Sequence, residues 1–497
     1  MIGTRVYKNY VNGEWINSSS RRTFLSLNPA NKKALGRFQQ STRKDVEIAV
    51  KAAEDAYASW SEVPAPHRAE ILFESARLLK QEKERLARLV TLEMGKVLKE
   101  GRGDVQEAID AFEYMAGEGR RLLGNTAPSE LRNKFCATIR VPVGVAALIT
   151  PWNFPTAIPS WKLAPALICG NTAVFKPSSD TPLCAIELIK LLEKAGIPKG
   201  VVNLVTGTGG DVGAAMIKHK KIRSISFTGS KDTGAYILKN AGIKKVGLEL
   251  GGKNAIIVMD DADLDLAVEG VIWGAFGTTG QRCTAASRVI LHRHIKDEFE
   301  EKLLFRTEKL KLGDGLKDTT DVGPLINKRA VLKTHKYTNI GKRGGARLLT
   351  GGYERRDIKG FFYQPTIFTD VLPKMRIAQE EIFGPTVSLM RAENFDDAIR
   401  ICNSIEYGLS SSMYTTSVNN AFKAISRIEA GITYINASTI GAEFHLPFGG
   451  VKQTGNGTRE GGITGIEEFS EIKAVYVDYS GKLQKAQIDE VITTKKA

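Results

Sequence analysis

A chain of 497 residues is longer than one hydrophobic core organises and implies two or three domains. Its 42% apolar and 25% charged content points to a soluble globular protein, and no run approaches the ~20 apolar residues that cross a bilayer, which excludes a membrane partner. The net charge of +15 raises the question of nucleic acid. Lys and Arg are nevertheless spread thinly among acidic residues, as in Lys80-Gln81-Glu82-Lys83-Glu84-Arg85, and no nucleic-acid-binding motif occurs. The five cysteines lie far apart with no CxxC pair, so neither a disulfide scaffold nor a metal site is expected. With a start that lacks the apolar core of a secretory signal, this predicts a cytoplasmic protein.

In chain order, residues 5 to 30 alternate and turn around Asn12-Gly13 and read as a short hairpin. Val46, Ala49, Ala52 and Ala53 predict a helix over 44–60, which Pro64 and Pro66 end. Ile71, Leu72, Leu79, Leu86, Leu89 and Val90 predict one long amphipathic helix over 68–96, and a third helix is expected over 104–123. Residues 124–143 read as an exposed hairpin whose edges invite a partner. Beyond Gly144, short apolar runs at 145–150, 172–176, 202–205, 224–227 and 245–250 alternate with helical stretches at 159–169, 182–195, 211–219 and 232–241. That alternation predicts an α/β fold, a parallel sheet with helices on both faces and ligand-carrying loops after the strands. The pattern resumes with a helix over 263–276, a strand over 288–291, a helix over 296–309, a Gly-rich outer region near 341–361 and an apolar run over 366–372.

Two stretches carry chemistry. Gly247-Leu248-Glu249-Leu250-Gly251-Gly252-Lys253-Asn254 places a carboxylate at the end of a strand, before glycines that allow positive φ and close backbone approach. Gly280-Gln281-Arg282-Cys283-Thr284 places a cysteine beside an arginine among polar neighbours. A lone cysteine is most often a small core residue. An adjacent cation favours the thiolate, and a thiolate with a carboxylate base forms a pair for covalent catalysis.

Further motifs follow in order: Thr150-Pro151-Trp152-Asn153-Phe154-Pro155, Phe175-Lys176-Pro177, Phe227-Thr228-Gly229-Ser230, Glu380-Glu381-Ile382-Phe383-Gly384-Pro385 and Pro447-Phe448-Gly449-Gly450. Together with the two stretches above they span nearly the whole chain. In them it resembles the NAD(P)-dependent aldehyde dehydrogenase superfamily, of the hydrolytic, non-acylating type. The resemblance implies a Rossmann-like cofactor domain over 1–123 and 144–251 and an α/β catalytic domain over 252–454. It also implies a small β oligomerisation arm and tail over 124–143 and 470–497, in a homodimer or homotetramer. Residues 472–477 are the matching C-terminal strand.

The resemblance further implies that Cys283 attacks an aldehyde carbonyl, that Asn153 and the Cys283 amide hold the oxyanion, and that Glu249 activates the water that releases the acid. Lys162 and Glu460 match positions used for proton transfer near Glu249; a structural ion pair is the equal alternative. Cofactor contacts are carried over to Thr150, Pro151, Trp152, Lys176, Ser178, Ser179, Gly207, Gly209, Gly210, Phe227, Thr228, Gly229, Ser230, Leu250, Glu381 and Phe383. NAD-preferring relatives often hold a glutamate where Ser179 stands, so serine beside Lys176 favours NADP, with NAD possible and dual specificity the alternative.

Pocket candidates are Phe154, Trp161, Trp273, Arg282, Thr284 and Phe444. Their mixed apolar and basic character suits broad aliphatic or aromatic aldehydes; the alternative is a dedicated semialdehyde such as 2,5-dioxovalerate or succinate semialdehyde, with Arg282 the deciding residue. The arginines that succinic semialdehyde enzymes often carry are replaced by Trp161 and Gly277. Glu249 argues against a CoA-acylating relative, and the intact Cys283 and Asn153 argue against a silent homologue.

Overall fold

The computed structural model describes residues 5–488, so residues 489–497 of the expected tail lie outside the described part. Two seven-stranded sheets organise the chain. In the first, Lys245–Glu249, Ile222–Thr228, Val145–Ile149, Thr172–Lys176 and Val202–Leu204 run parallel in that spatial order. The hairpin Asn9–Val11 and Glu14–Ile16 extends the far edge antiparallel. The N-terminal segment also forms a second ribbon, Thr23–Leu27 with Ala34–Gln39.

Alternation along the strands decides which helices cover which face. Ala146, Leu148, Ala173 and Phe175 pack with the helices Ala65–Gln81, Lys83–Met94, Leu98–Glu118, Ala157–Ile168 and Pro182–Lys194. Val145, Ala147, Ile149 and Val174 pack on the other side with Arg43–Glu62, Ala214–Lys218 and Lys231–Asn240. Both faces are therefore dry, and Val145–Ile149 and Thr172–Lys176 are buried at every position.

The second sheet runs Arg347–Thr350, Thr366–Thr369, Thr386–Ala392, Ala286–His292, Asn254–Val258, Ser410–Tyr414 and Ile432–Ile435, parallel except for its first strand. Only Leu250 to Lys253 separates the edge strand of the first sheet from a central strand of the second. The glycine pair therefore carries the chain between the two sheets.

The structure corrects three expectations. The helix expected over 68–96 is two helices, because the chain leaves helical geometry at Glu82 (φ −97°, ψ 7°). No apolar residue falls between Leu79 and Leu86, so no buried side chain holds that turn to the core. The third helix starts at Leu98, one turn and a half before Asp104. The arm is not an isolated hairpin: Lys134–Pro142 pairs along its full length with Ser470–Asp478 of the same chain, and Thr126–Ala127 adds a short third strand. Among the described residues no strand pairs with the outer edge of Ser470–Asp478, which bears exposed Ile472, Tyr476 and Val477. Among the described residues no helix is long and apolar enough to cross a membrane.

Candidate active site

A cleft of about 460 Å³ opens between the sheets, lined by Trp152, Asn153, Thr228, Gly229, Ser230, Cys283, Glu381 and Phe383 among others. Residues separated by more than two hundred positions thus meet at one place. Their backbones come from loops after Val145–Ile149 and Ile222–Thr228, and from the turns before Ala286–His292 and Thr386–Ala392.

The glycine pair is needed for close approach and not for positive φ, since neither residue adopts it. A Cβ on Gly251 would stand 2.6 Å from both Glu381 carboxylate oxygens, and one on Gly252 2.5 Å from the Cys283 carbonyl oxygen. The Gly252 amide donates to Glu381 Oε1 (3.0 Å), while the Asn254 amide donates to the carbonyls of Cys283 (2.7 Å) and Ala285 (2.9 Å). Strand Asn254–Val258 therefore holds the cysteine turn from one side. From the other, Glu100 Oε1 accepts the Thr278 amide (2.8 Å) and an Arg282 nitrogen (3.2 Å). Between them Thr278 and Thr279 are left-handed (φ 50° and 59°), a costly conformation for β-branched residues.

Arg282 does not serve the thiol as expected. Its guanidinium faces Glu100, the Thr278 hydroxyl (2.9 Å) and the ring of Phe154, because side chains of consecutive residues in this turn diverge. Burial pushes the Cys283 thiol up to about 12, and the charges of Glu249 and Glu381 push the same way, while the amides of Thr284 and Cys283 oppose them. The thiol form of Cys283 is thereby favoured over the thiolate.

Glu249 is 3% exposed, and neither carboxylate oxygen has a hydrogen-bond partner among the described residues. Burial first, then the negative charge of Glu460, raises its pKa well above the ordinary carboxylate range; Lys162 opposes both. Lys162 is ion-paired with Glu460 and donates to the Ser226 hydroxyl (2.8 Å). Glu468, from the short helix Thr464–Phe469, joins this cluster against the backbone of Gly247, its pKa pushed up to about 7 chiefly by burial.

Asn153 is buried, and its side-chain oxygen has no hydrogen-bond partner among the described residues, nor do the hydroxyls of Thr150 and Thr228. Trp152 meets Phe383 edge-on at 5.5 Å. These orphaned polar atoms, with Gly229 where a Cβ would strike the Phe227 ring, fit a polar, ring-bearing ligand such as a nicotinamide dinucleotide. Leu250 also lines the cleft, with Pro151. Glu380 is the outward carboxylate, paired with Arg376 and Tyr337.

The predicted adenosine end forms a separate group. The Ser179 hydroxyl donates to the Gly207 carbonyl (2.9 Å), tying the loop after Thr172–Lys176 to the next strand's turn. Ser178 accepts from the Asp180 amide (3.2 Å). Lys176 is buried, donates to the Pro177 carbonyl (2.7 Å), and has its pKa lowered to about 8 by burial. Gly209 and Gly210 begin a π-helical turn capped by Thr208.

The pocket candidates divide. Trp161 packs edge-on against Phe444 (5.0 Å) and Phe448 (5.4 Å). Phe154 lies between Lys96 Nζ (3.5 Å) and Arg282 (5.1 Å). Thr284 is buried, its carbonyl accepting from Thr439 (2.8 Å). Trp273 is 49% exposed, beside Gly277 and Gly441, and is not among the residues that line the cleft. Sequence reasoning missed Lys96, Glu100, Glu468 and the cleft residues Asp180, Asn327 and Lys333. Glu100, Glu468 and Lys333 lie on helices, where such charges have the look of solvated faces, while Lys96, Asp180 and Asn327 lie outside them.

The sequence profile of the aldehyde dehydrogenase family matches residues 15–475, and the chain belongs to that family. It is 43% identical over 477 residues to the alpha-ketoglutaric semialdehyde dehydrogenase of Bacillus subtilis, covering 95% of this chain and 98% of the relative. It is 41% identical over 469 residues to the 2,5-dioxopentanoate dehydrogenase of Saccharolobus solfataricus, covering 93% and 98%. Among solved structures, betaine aldehyde dehydrogenase from Staphylococcus aureus in complex with NAD+ superimposes with a TM-score of 0.94 at 37% identity, over 96% of each chain. An NADP-dependent enzyme of E. coli matches with a TM-score of 0.93 at 39% identity, over 95% of this chain and 98% of that one. The protein is an aldehyde dehydrogenase, oxidising an aldehyde to its acid with NAD(P)+.

Proposed function

We propose that the substrate is a short semialdehyde bearing a carboxylate, with 2,5-dioxopentanoate as its type, and that NADP is the preferred cofactor. The observation that carries the substrate reading is Arg282. Its side chain is 11% exposed, next in sequence to Cys283, stacked on Phe154 and paired with Glu100, so a carboxylate at the far end of a short aldehyde would share the guanidinium with Glu100 and take the donors that Glu100 leaves. Two relatives above 40% identity act, by name, on this compound. The Trp161–Phe444–Phe448 cluster supports the second reading, broad aliphatic or aromatic aldehydes.

In the proposed mechanism, Cys283 Sγ adds to the aldehyde carbon and passes its proton on to a base. The Asn153 amide and the Cys283 N–H take the charge that develops on the carbonyl oxygen. Trp152, Glu381 and Phe383 would hold the nicotinamide end of the cofactor and the turn at Thr228 to Ser230 its pyrophosphate; when bound, the cofactor supplies the hydride acceptor. The acyl group is then a thioester on Sγ. Glu249 takes a proton from water, which releases the acid and frees the thiol. Lys162 and Glu460, with Glu468 behind them, receive and return that proton.

The cofactor reading rests on Ser179, where a glutamate would repel a 2′-phosphate, and on Lys176 beside it. The domain limits 1–123 with 144–251, 252–454, and 124–143 with 470–497 are proposed on the same grounds. All five cysteines are unpaired, which supports work in a reducing cytoplasm.

Steady-state kinetics with 2,5-dioxopentanoate, succinic semialdehyde, butyraldehyde and benzaldehyde test the substrate reading. Arg282→Gln is expected to raise KM at least about tenfold for the anionic substrates, the loss of one charge-assisted contact, and to leave the neutral ones within about twofold. An equal effect on all four would assign Arg282 to the loop alone.

A further inference from the structure

At the end of the second sheet remote from Cys283, three side chains converge that the reaction does not use. Asp260 follows strand Asn254–Val258, and His292 closes the adjacent parallel strand Ala286–His292, with His294 two residues on. Asp260 Oδ2 stands 3.7 Å from His292 Nδ1 and 3.9 Å from His294 Nδ1. One ligand atom from each lies within 4.8 Å of the others. The two rings meet at 4.9 Å and 79°. The chain has only six histidines, and two of them are here.

We propose that Asp260, His292 and His294 bind a divalent first-row transition ion, zinc or its analogues. Two imidazoles and one carboxylate are the donor set such ions prefer, whereas calcium and magnesium want oxygen alone. Around a tetrahedral ion at about 2.0–2.2 Å, neighbouring donors sit about 3.4 Å apart. The two Asp260 contacts therefore need to close by only a few tenths of an ångström. Asp260 and His294 are exposed and free to make that adjustment, while His292 is buried and fixed on its strand. Three protein donors leave a fourth position for water. Arg293 Nε donates to His294 Nε2 (3.1 Å); that contact gives way on binding, since a ring ligating through Nδ1 carries its proton on Nε2. Arg293 retains Glu393 as its partner (3.3 Å).

The seven-residue strand places this site roughly 20 Å from Cys283. The ion would tie the carboxyl ends of two neighbouring strands, so it stabilises the catalytic sheet and takes no part in the chemistry.

The test uses untagged, chelator-treated full-length protein titrated with Co2+ and Zn2+ by calorimetry and absorption spectroscopy. One saturable site is expected, with a rise in Tm and no sulfur-to-cobalt charge-transfer band. His294→Ala and Asp260→Asn should each weaken it at least about tenfold, since removing even an outer-shell partner costs that much, and leave turnover without metal unchanged. Cys283→Ala should bind as the parent does, and so should the control His219→Ala. Absence of saturable binding, binding unmoved by His294→Ala and Asp260→Asn, or binding lost in Cys283→Ala would each overturn the proposal.

Discussion

Burial and the charge of Glu460 raise the pKa of Glu249 well above the ordinary carboxylate range. A carboxyl whose pKa is raised on folding keeps its proton where the unfolded chain has lost it, so ionising it costs stability as pH rises. The hydrolytic limb of the pH profile should therefore climb with pH, and lie higher than an ordinary carboxylate would put it, as the basic form of Glu249 becomes populated. Glu468 lies in the same cluster with a pKa near 7. Glu468→Gln should unfold at a higher temperature than the parent at pH 9 and show no gain at pH 5, which thermal scans at the two pH values check. Cys283, pushed up to about 12, should be alkylated slowly by iodoacetamide without cofactor, with a rate still rising tenfold per pH unit at pH 9. A plateau near pH 7 would mean that a cation activates the thiol after all.

The cysteine turn depends on contacts from other elements. Glu100→Ala removes the acceptor for both the Thr278 amide and Arg282, leaving the latter charge buried. A loss of about 1–3 kcal/mol in stability, with kcat falling more than KM changes, is expected from denaturation and kinetics. Gly252→Ala would press a Cβ on the Cys283 carbonyl. Displacing the nucleophile by even ~1 Å should lower kcat about a hundredfold. Much of this architecture was legible beforehand. The five parallel strands stood out as short apolar runs, and Cys283, Asn153 and Glu249 as polar residues where packing alone gives no reason for them. Glu100 and Glu468 were not legible, because a carboxylate on an amphipathic helix has the same pattern whether it faces water or a distant loop. The direction of Arg282 was misread for a related reason, since adjacency in sequence says nothing of where a side chain points in a left-handed turn. The break at Glu82 left a gap in the apolar spacing that length alone disguised.

At the scale of the molecule, two sheets joined by a four-residue link place their loops on either side of one cleft, so catalysis depends on how the sheets sit together. The open edge of Ser470–Asp478, with exposed Ile472 and Tyr476, is the surface on which a dimer or tetramer would close. Light scattering at micromolar concentration should return at least twice the 54.3 kDa chain mass. Ser179→Glu should weaken NADP about ten- to a hundredfold and leave NAD unchanged or improved, the worth of one lost phosphate contact. With Lys176 near 8, NADP affinity should also fall faster than NAD affinity as pH rises past that value. Whether Glu249 hydrolyses a thioester on Cys283 is read by mixing Glu249→Gln with excess aldehyde and excess cofactor in a stopped-flow burst experiment. One reduced cofactor should appear per active site in a burst, then arrest, with the acyl group found by mass on Cys283. No burst, or steady turnover at the parent rate, would overturn that role for Glu249.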